Sequence, residues 1–237
     1  MKIKGKELVK FLKKVSLYGT SDVIDNVKLN FEQDKVTCLS VSATNTVMVR
    51  GILFSKSFIE YEAIGEVVLQ NMDRIIKIVS GHEDDLQLKF EGNLLTIVMG
   101  KRKIETELMS PTVYKGADKF PELKSENSQI FGFDIGVLKN LIGDMSINQE
   151  FSIYLETYSN GLQVSNDGTF KFTEKYDLDV QLSEAKTKFG EPLICGIKNL
   201  EGNVTIKLGT DYPVLISETL SELSDVSVIV APRVEKE

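Results

Sequence analysis

The feature that most limits how this chain can fold is the stretch 109–127, M-S-P-T-V-Y-K-G-A-D-K-F-P-E-L-K-S-E-N, flanked on both sides by the same order of pattern elements. Pro111, Gly116, Pro121 and the interspersed charges argue against a helix or a central strand, because proline has no N–H to give to either. Val113, Tyr114, Phe120 and Leu123 provide an apolar side to lay on a surface. The stretch reads as a connector that lies on the body of the protein and joins two copies of one unit.

Before the connector, Leu8, Phe11, Leu12 and Val15 recur at helical spacing within 6–17, and Lys10, Lys13 and Lys14 occupy the remaining surface. Alternation predicts strands at 27–31 and 35–41 around an E-Q-D-K turn, then at 46–53 and 66–69. Within 71–81, Met72, Ile75, Ile76 and Val79 line one face of a second helix, while Arg74 and Lys77 share another. Short strands at 85–90, 93–99 and 103–108 close this half.

The second half opens with a helix at 133–145 that carries Val137, Leu138, Leu141 and Ile142, with Lys139 as its one base. Strands are predicted at 151–156, 161–165, 169–173, 177–182, 193–197, 204–208, 212–217 and 226–230. Setting Cys38 against Val164, and Leu86 against Val204, makes the second copy about eight residues shorter late in the repeat. The shortening is assigned to the second helix, leaving K-N-L-E-G at 198–202 room for one turn. The repeated unit is helix, strands, helix, strands, and the chain is α+β.

A chain of 237 residues fits one domain or two, and 42% hydrophobic content is enough for substantial cores. The net charge of −7 excludes a protein that is basic all over, though not a basic face on an acidic body. Lys10, Lys13, Lys14, Arg74, Lys77 and Lys139 fall on helices, whereas acids crowd the strands, loops and tail. The pattern alone leaves two readings open: ordinary solvated helix faces, or one surface for a phosphate backbone.

Cys38 and Cys195 lie in apolar runs and read as buried reduced thiols, as suits an intracellular protein. The N-terminal M-K-I-K-G-K-E lacks the apolar core of a signal peptide, and no stretch approaches a membrane span, so a soluble cytosolic protein is expected. His82 is the sole histidine, Asp84 and Asp85 lack EF-hand spacing, and there is no P-loop, dinucleotide glycine run or nucleophile elbow. Binding or scaffolding is expected in place of catalysis, with no metal and no cofactor.

The C-terminal D-Y-P-V-L-I at 211–216 and V-I-V-A-P-R-V-E-K-E at 228–237 are the most specific text in the chain. With L-K-K-V at 12–15, the run 38–49, F-I-E-Y at 58–61, M-D-R-I-I-K at 72–77 and F-P-E at 120–122, the chain resembles the archaeal and eukaryotic DNA sliding clamp, the proliferating cell nuclear antigen family. The resemblance covers nearly the whole length. It implies two similar clamp domains, 1–109 and 128–237 with a curtailed second helix, joined by a connector at 110–127. It also implies helices on one face of curved antiparallel sheets, in a ring-forming DNA clamp fold.

The function implied is that of a DNA polymerase processivity factor, a non-enzymatic ring that encircles duplex DNA and tethers replication and repair enzymes. Lys10, Lys13, Lys14, Arg74, Lys77 and Lys139 would face the DNA. Val41, Asn45, Thr46, Met48, Phe120, Pro121, Pro213, Ala231 and Pro232 match the groove for partner peptides. Ser42 replaces a usual aspartate, and Asn45 stands where many relatives have histidine. Ile104, Glu105 and Leu108 match one subunit edge, and Lys171 and Phe172 the other.

Implied partners are duplex DNA, further copies or clamp paralogues in a trimer, the clamp loader, DNA polymerase, flap nuclease and DNA ligase, with no membrane. The implied location is cytoplasmic at the replisome, or nuclear in a eukaryote. The alternative is a clamp-like peptide-binding regulator, or one subunit of a mixed clamp assembly.

Overall fold

Strands with alternating burial and two-sided helices make up both halves of the chain. The computed structural model describes the 237 residues apart from 83, 118, 124–127, 147–151, 169–170, 179–181, 222 and 234–237. The chain divides into two units. Met1–Asn45, Val49–Phe120 and Leu220–Val226 form the first, and Thr46–Met48, Pro121–Thr219 and Ser227–Glu237 the second. The units are interleaved in sequence, and the connector as far as Phe120 belongs to the first.

The first unit runs β1 (Lys2–Lys4), α1 (Gly5–Val15), β2 (Val27–Phe31), β3 (Lys35–Val41), most of β4 (Val47–Phe54), β5 (Phe58–Glu60), β6 (Gly65–Leu69), α2 (Met72–Val79), β7 (Asp85–Glu91), β8 (Leu94–Met99) and β9 (Arg102–Glu107). Its strands are ordered β5-β1-β7-β8-β9 and β4-β3-β2-β6. Alternation decides which residues go inward: β2 buries Val27, Leu29 and Phe31, and β3 buries Val36, Cys38 and Ser40. The two helices bury the sets predicted by their spacing, Leu8, Phe11, Leu12 and Val15 on α1 and Met72, Ile75, Ile76 and Val79 on α2. Each such side chain contributes about 1.5–3 kcal/mol relative to leaving it in water.

Helix α1 starts without a side-chain cap; the N–H of Gly5 goes instead to the carbonyl of Asp84 at 3.2 Å. A Cβ at Gly5 would stand 2.7 Å from the carbonyl oxygen of His82, so this glycine permits the close approach. At the other end the Ser16 hydroxyl donates to the Leu12 carbonyl at 2.7 Å, and Leu17 turns into the left-handed region with φ 52°. Ser40 donates to the Val15 carbonyl at 2.6 Å, which fastens that end of the helix to β3 with a buried bond.

The second unit runs β10 (Ser128–Asp134), α3 (Ile135–Ser146), β11 (Ile153–Tyr158), β12 (Gly161–Asn166), β13 (Thr173–Asp177), β14 (Ala185–Phe189), α4 (Glu191–Ile197), β15 (Asn203–Leu208), β16 (Val214–Ser221) and β17 (Ser224–Val230), with the ends of β16 and β17 divided between the units. Strand orders are β10-β15-β16-β17 and β13-β12-β11-β14. In each unit the two helices pack against each other, α1 on α2 and α3 on α4.

One sequence expectation is overturned here. The predicted strand 193–197 is the helix α4, seven residues against eight in α2, so the second helix of this unit is not curtailed. Pro192 begins the helix, where its missing N–H costs nothing. Gly196 lets the helix press onto β17, since a Cβ there would lie 2.9 Å from Val230 and 3.1 Å from Val228. The shortening of the second copy lies ahead of this helix: among the described residues two strands, β13 and β14, stand between β12 and α4, against β4, β5 and β6 between β3 and α2.

Helix α1 also sits close on β4. A Cβ at Gly51 would lie 2.5 Å from Val15 Cγ1 and 2.8 Å from Phe11 Cε2. Gly51→Ala is therefore expected to destabilise the protein by about 1–3 kcal/mol through overpacking. A denaturant titration followed by circular dichroism checks this; an unchanged midpoint would mean that the helix seat is looser than described.

Candidate nucleic-acid and partner-binding surfaces

Two adjacent helices of the first unit supply most of the predicted basic surface. Arg74 and Lys77 on α2 are exposed, and Lys10 and Lys13 on α1 are half-buried. Lys13 rests over the ring of Tyr18, 5.6 Å from its centroid. Lys77 is ion-paired with Asp73 one turn back at 2.6 Å, and the hydrogen bond and charge of that carboxylate raise its pKa.

One of the six predicted bases does not fit the exposed role, and a second, half-buried like Lys10 and Lys13, is bonded to backbone. Lys14 is only 2% exposed, because α1 packs against β1 and β3 as well as α2 and its buried arc is wider than one apolar stripe. Lys139 donates to the Leu200 carbonyl at 3.0 Å, just beyond the end of α4, where a cation complements the negative helix end. It is the one base of α3, and α4 has none. Basic charge on the helices is thus concentrated in the first unit.

The connector starts with Met109, whose N–H donates to the Val68 carbonyl at 3.0 Å. Val113 is 66% exposed and Tyr114 half-buried. Phe120 lies over the guanidinium of Arg50, 4.8 Å from its ring centroid, a cation–π contact that the sequence reading missed. With Ala117, Thr37, Leu39, Arg50 and Ile52 it lines a recess of about 280 Å³. Val41, the expected first-unit neighbour of Phe120, is half-buried at the end of β3 and does not line this recess. Asn45 is exposed in the left-handed region at φ 58°, and its N–H donates to the Ser42 carbonyl at 2.9 Å.

Within the second unit, Thr46, Met48, Pro213, Ala231 and Pro232 are half-buried and Pro121 is exposed. The carbonyl of Thr46 accepts from the N–H of Ala231 at 2.8 Å. Arg233 is held twice, by its N–H on the Lys188 carbonyl at 2.8 Å and its guanidinium on Ser152 Oγ at 2.9 Å. Lys188 and Tyr154 both bond Asp167 at 2.9 Å. The hydrogen bond from Lys188, with those from Tyr154 and Ser152, holds the Asp167 carboxyl below its ordinary value. The A-P-R stretch is thereby fixed on β14.

Strands β9 and β13 are each outermost in their groups. The predicted edges 103–108 and 169–173 are displaced from them. Leu108 lies past β9 and gives its N–H to the Asn93 carbonyl at 2.7 Å. Lys171 and Phe172 precede β13; Phe172 folds back on Asn166, donating to Oδ1 at 2.7 Å and accepting from its N–H at 3.2 Å. Residues 169–170 fall outside the described residues, as does part of the predicted strand 177–182. Ile104 and Glu105 stand on β9 as expected. Behind β9 a cavity of about 140 Å³ is lined by Ile75, Ile78, Val79, Ile97 and Ile104 together with Arg74 and Glu105.

Cys38 and Cys195 are buried and free, and burial pushes the Cys38 thiol up to about 12. Among the described residues no group of three or more metal-ligating side chains comes together, and no helix is long and apolar enough to cross a membrane.

Two β-rich units of like element order, each carrying a packed helix pair, define the class: a mixed α/β protein of the clamp fold. A solved structure of A. fulgidus PCNA with the C-terminal region of FEN-1 bound superposes with a TM-score of 0.86 at 22% identity, covering 100% of this chain and 98% of that one. The DNA polymerase sliding clamp of Methanosarcina acetivorans is 21% identical over 236 residues, covering 95% of this chain and 96% of that protein. That of Natronomonas pharaonis is 23% identical over 237 residues, covering 94% and 95%. No protein-family model matches the chain. The chain is a homologue, divergent in sequence, of the archaeal and eukaryotic DNA sliding clamps.

Asp167→Asn is expected to lower the melting temperature near neutral pH. A carboxyl with a depressed folded pKa stabilises the protein above its unfolded pKa and ceases to do so as pH falls through the folded value. The deficit should therefore shrink in acid; melting curves showing the same deficit below the carboxylate range would count against the ion-pair account.

Proposed function

We propose that the chain is a DNA polymerase processivity factor, a ring-shaped sliding clamp that encircles duplex DNA and tethers replication and repair enzymes. The observation that carries this reading is that an acidic chain, homologous to sliding clamps along its length, places Lys10, Lys13, Arg74 and Lys77 on two packed helices. Phosphate contacts of that kind are diffuse and read no sequence, which suits a protein that must slide. Lys14 and Lys139 have lesser parts, given their burial and bonding.

Three subunits would close the ring through β9 and β13, with a clamp loader opening it. DNA polymerase, flap nuclease and ligase peptides would dock on the outer face along the connector and the A-P-R stretch. The FEN-1 peptide on the A. fulgidus relative supports this class of partner. The residues proposed to contact such peptides are Val41, Asn45 and Phe120 on the first unit, and Thr46, Met48, Pro121, Pro213, Ala231 and Pro232 on the second. The weak basic charge of α3 and α4 favours a second reading, membership of a mixed clamp assembly with paralogues supplying the remaining charge.

Two experiments test the proposal. Charge reversal of Lys10, Lys13, Arg74 and Lys77 together should reduce polymerase stimulation by the loaded clamp and flatten its salt dependence, with peptide affinity nearly unchanged. Wild-type stimulation across a salt titration would reject these helices as the DNA face. Phe120→Ala should weaken binding of a flap-nuclease tail peptide roughly 5- to 150-fold in calorimetric titration while the protein stays folded. Unchanged affinity in a folded variant would remove Phe120 from the groove.

A further inference from the structure

The cavity between α2 and β9 has an apolar floor and a polar mouth, all within the first unit. Ile75 and Val79 of α2 and Ile97 of β8 are buried, with half-buried Ile78 and Ile104 beside them. The other lining residues are Asn71, Arg74, Glu105 and Thr106. Asn71, Arg74 and Glu105 are exposed, so the polar end is the one open to water. The volume, about 140 Å³, is close to the roughly 150 Å³ at which a cavity lined by leucine, isoleucine and phenylalanine takes up benzene.

The donors at this mouth are unengaged. Asn71 stands ahead of α2 in the left-handed region at φ 58°, and its amide makes no capping bond to that helix. Among the described residues, the Arg74 guanidinium, the Asn71 amide and the Thr106 hydroxyl have no side-chain hydrogen bond or ion pair. The neighbouring charges are different. Lys77, on the next turn of α2, is paired with Asp73 at 2.6 Å. Lys103 holds the Glu105 carboxylate at 2.6 Å and so offsets the one negative charge that lines the cavity.

We propose that this cavity binds a small aromatic or branched aliphatic monocarboxylate, with the apolar end among the isoleucines and the carboxylate on Arg74. A guanidinium presents a planar fork of N–H donors that matches a carboxylate, and the Asn71 amide and Thr106 hydroxyl add donors of the same sense. A cationic ligand would meet Arg74 with like charge, and a neutral one would leave these donors without a partner. An apolar pocket with a few convergent polar groups is the usual form of a small-ligand site. The volume limits the apolar end to about one ring or a short branched chain. The site stands on the first unit alone, whether or not the chain acts as a clamp. Arg74 is also among the bases assigned to phosphate, so an occupied cavity withdraws one of them.

Benzoate is the probe, and benzyl alcohol its uncharged counterpart. In amide correlation spectra of the full chain, benzoate should shift the signals of Ile75, Ile78, Ile104 and Thr106 saturably, with a Kd of about 1 mM or lower. Benzyl alcohol should bind at the same signals about 5-fold or more weakly. Arg74→Gln should weaken benzoate by about 5- to 10-fold and leave benzyl alcohol unchanged, because it removes the charge and keeps the cavity. Lys101→Gln makes the same change in net charge at an exposed position in the turn before β9, and should leave both affinities unchanged. Ile78→Phe and Ile104→Phe fill the cavity from the helix and from the strand, and each should abolish binding of both probes. Circular dichroism establishes which of the two filled variants is folded.

Benzoate that never saturates these signals, or saturates them equally in wild type and Arg74→Gln, would overturn the carboxylate site. Equal affinity for the acid and the alcohol would remove Arg74 as the anchor and overturn the ligand class. Binding that survives in a folded Ile78→Phe or Ile104→Phe protein would overturn the cavity as the place of binding. The polymerase-stimulation assay reports separately on the clamp reading.

Discussion

The close seating of a helix on a strand is the contact on which the rest of this structure depends. Gly51 gives α1 room to bring Phe11 and Val15 onto β4, and Gly196 gives α4 the same room against Val228 and Val230 of β17. Any β-carbon at these places would hold the helix off the sheet, opening space that the buried leucines and isoleucines now fill. Once a helix is seated, its rotation is fixed, and so is the set of side chains it turns outward. The basic residues of α1 owe their positions to that rotation. Ser40, by bonding the Val15 carbonyl, prevents the end of α1 from turning about its own axis.

Charge is distributed in a way that follows from this packing. The chain carries −7 overall, yet α1 and α2 present Lys10, Lys13, Arg74 and Lys77, while α3 and α4 contribute little positive charge. An acidic body discourages indiscriminate attachment to nucleic acid, and a local basic surface permits weak, salt-sensitive contact. Lys77 beside Asp73 and Lys139 beside the Leu200 carbonyl show two ways in which a lysine on a helix serves the fold as much as a partner. The A-P-R stretch is treated differently: Arg233, Lys188, Asp167 and Tyr154 form a connected polar set that holds a short irregular segment in place.

Much of the fold was legible because burial follows the two simple periods. The strands 27–31 and 35–41 are found at the predicted residues, and both helices of the first unit bury their predicted side chains. Short apolar runs carry no such signal, and E-P-L-I-C-G-I reads equally as strand or helix; Pro192 at its start was the cue to α4 that an argument from chain length overrode. Lys14 was misplaced because a single stripe was assumed for a helix that packs on three elements. The Arg50–Phe120 contact joins residues far apart in sequence, and no local pattern signals such a pair. Edge positions were displaced by a few residues at β13, where Asn166 draws the backbone of Phe172 back onto β12 and delays the strand.

The central claim, that this chain acts by encircling DNA, is tested most directly by topology. Labelled protein is loaded on a nicked circular plasmid with a clamp loader, freed of unbound material by gel filtration, and followed after the circle is cut once by a restriction enzyme. Encirclement predicts retention on the closed circle and rapid loss from the linear ends, since the contacts with phosphate are individually weak. Equal retention before and after cutting, or none on the circle, would contradict it.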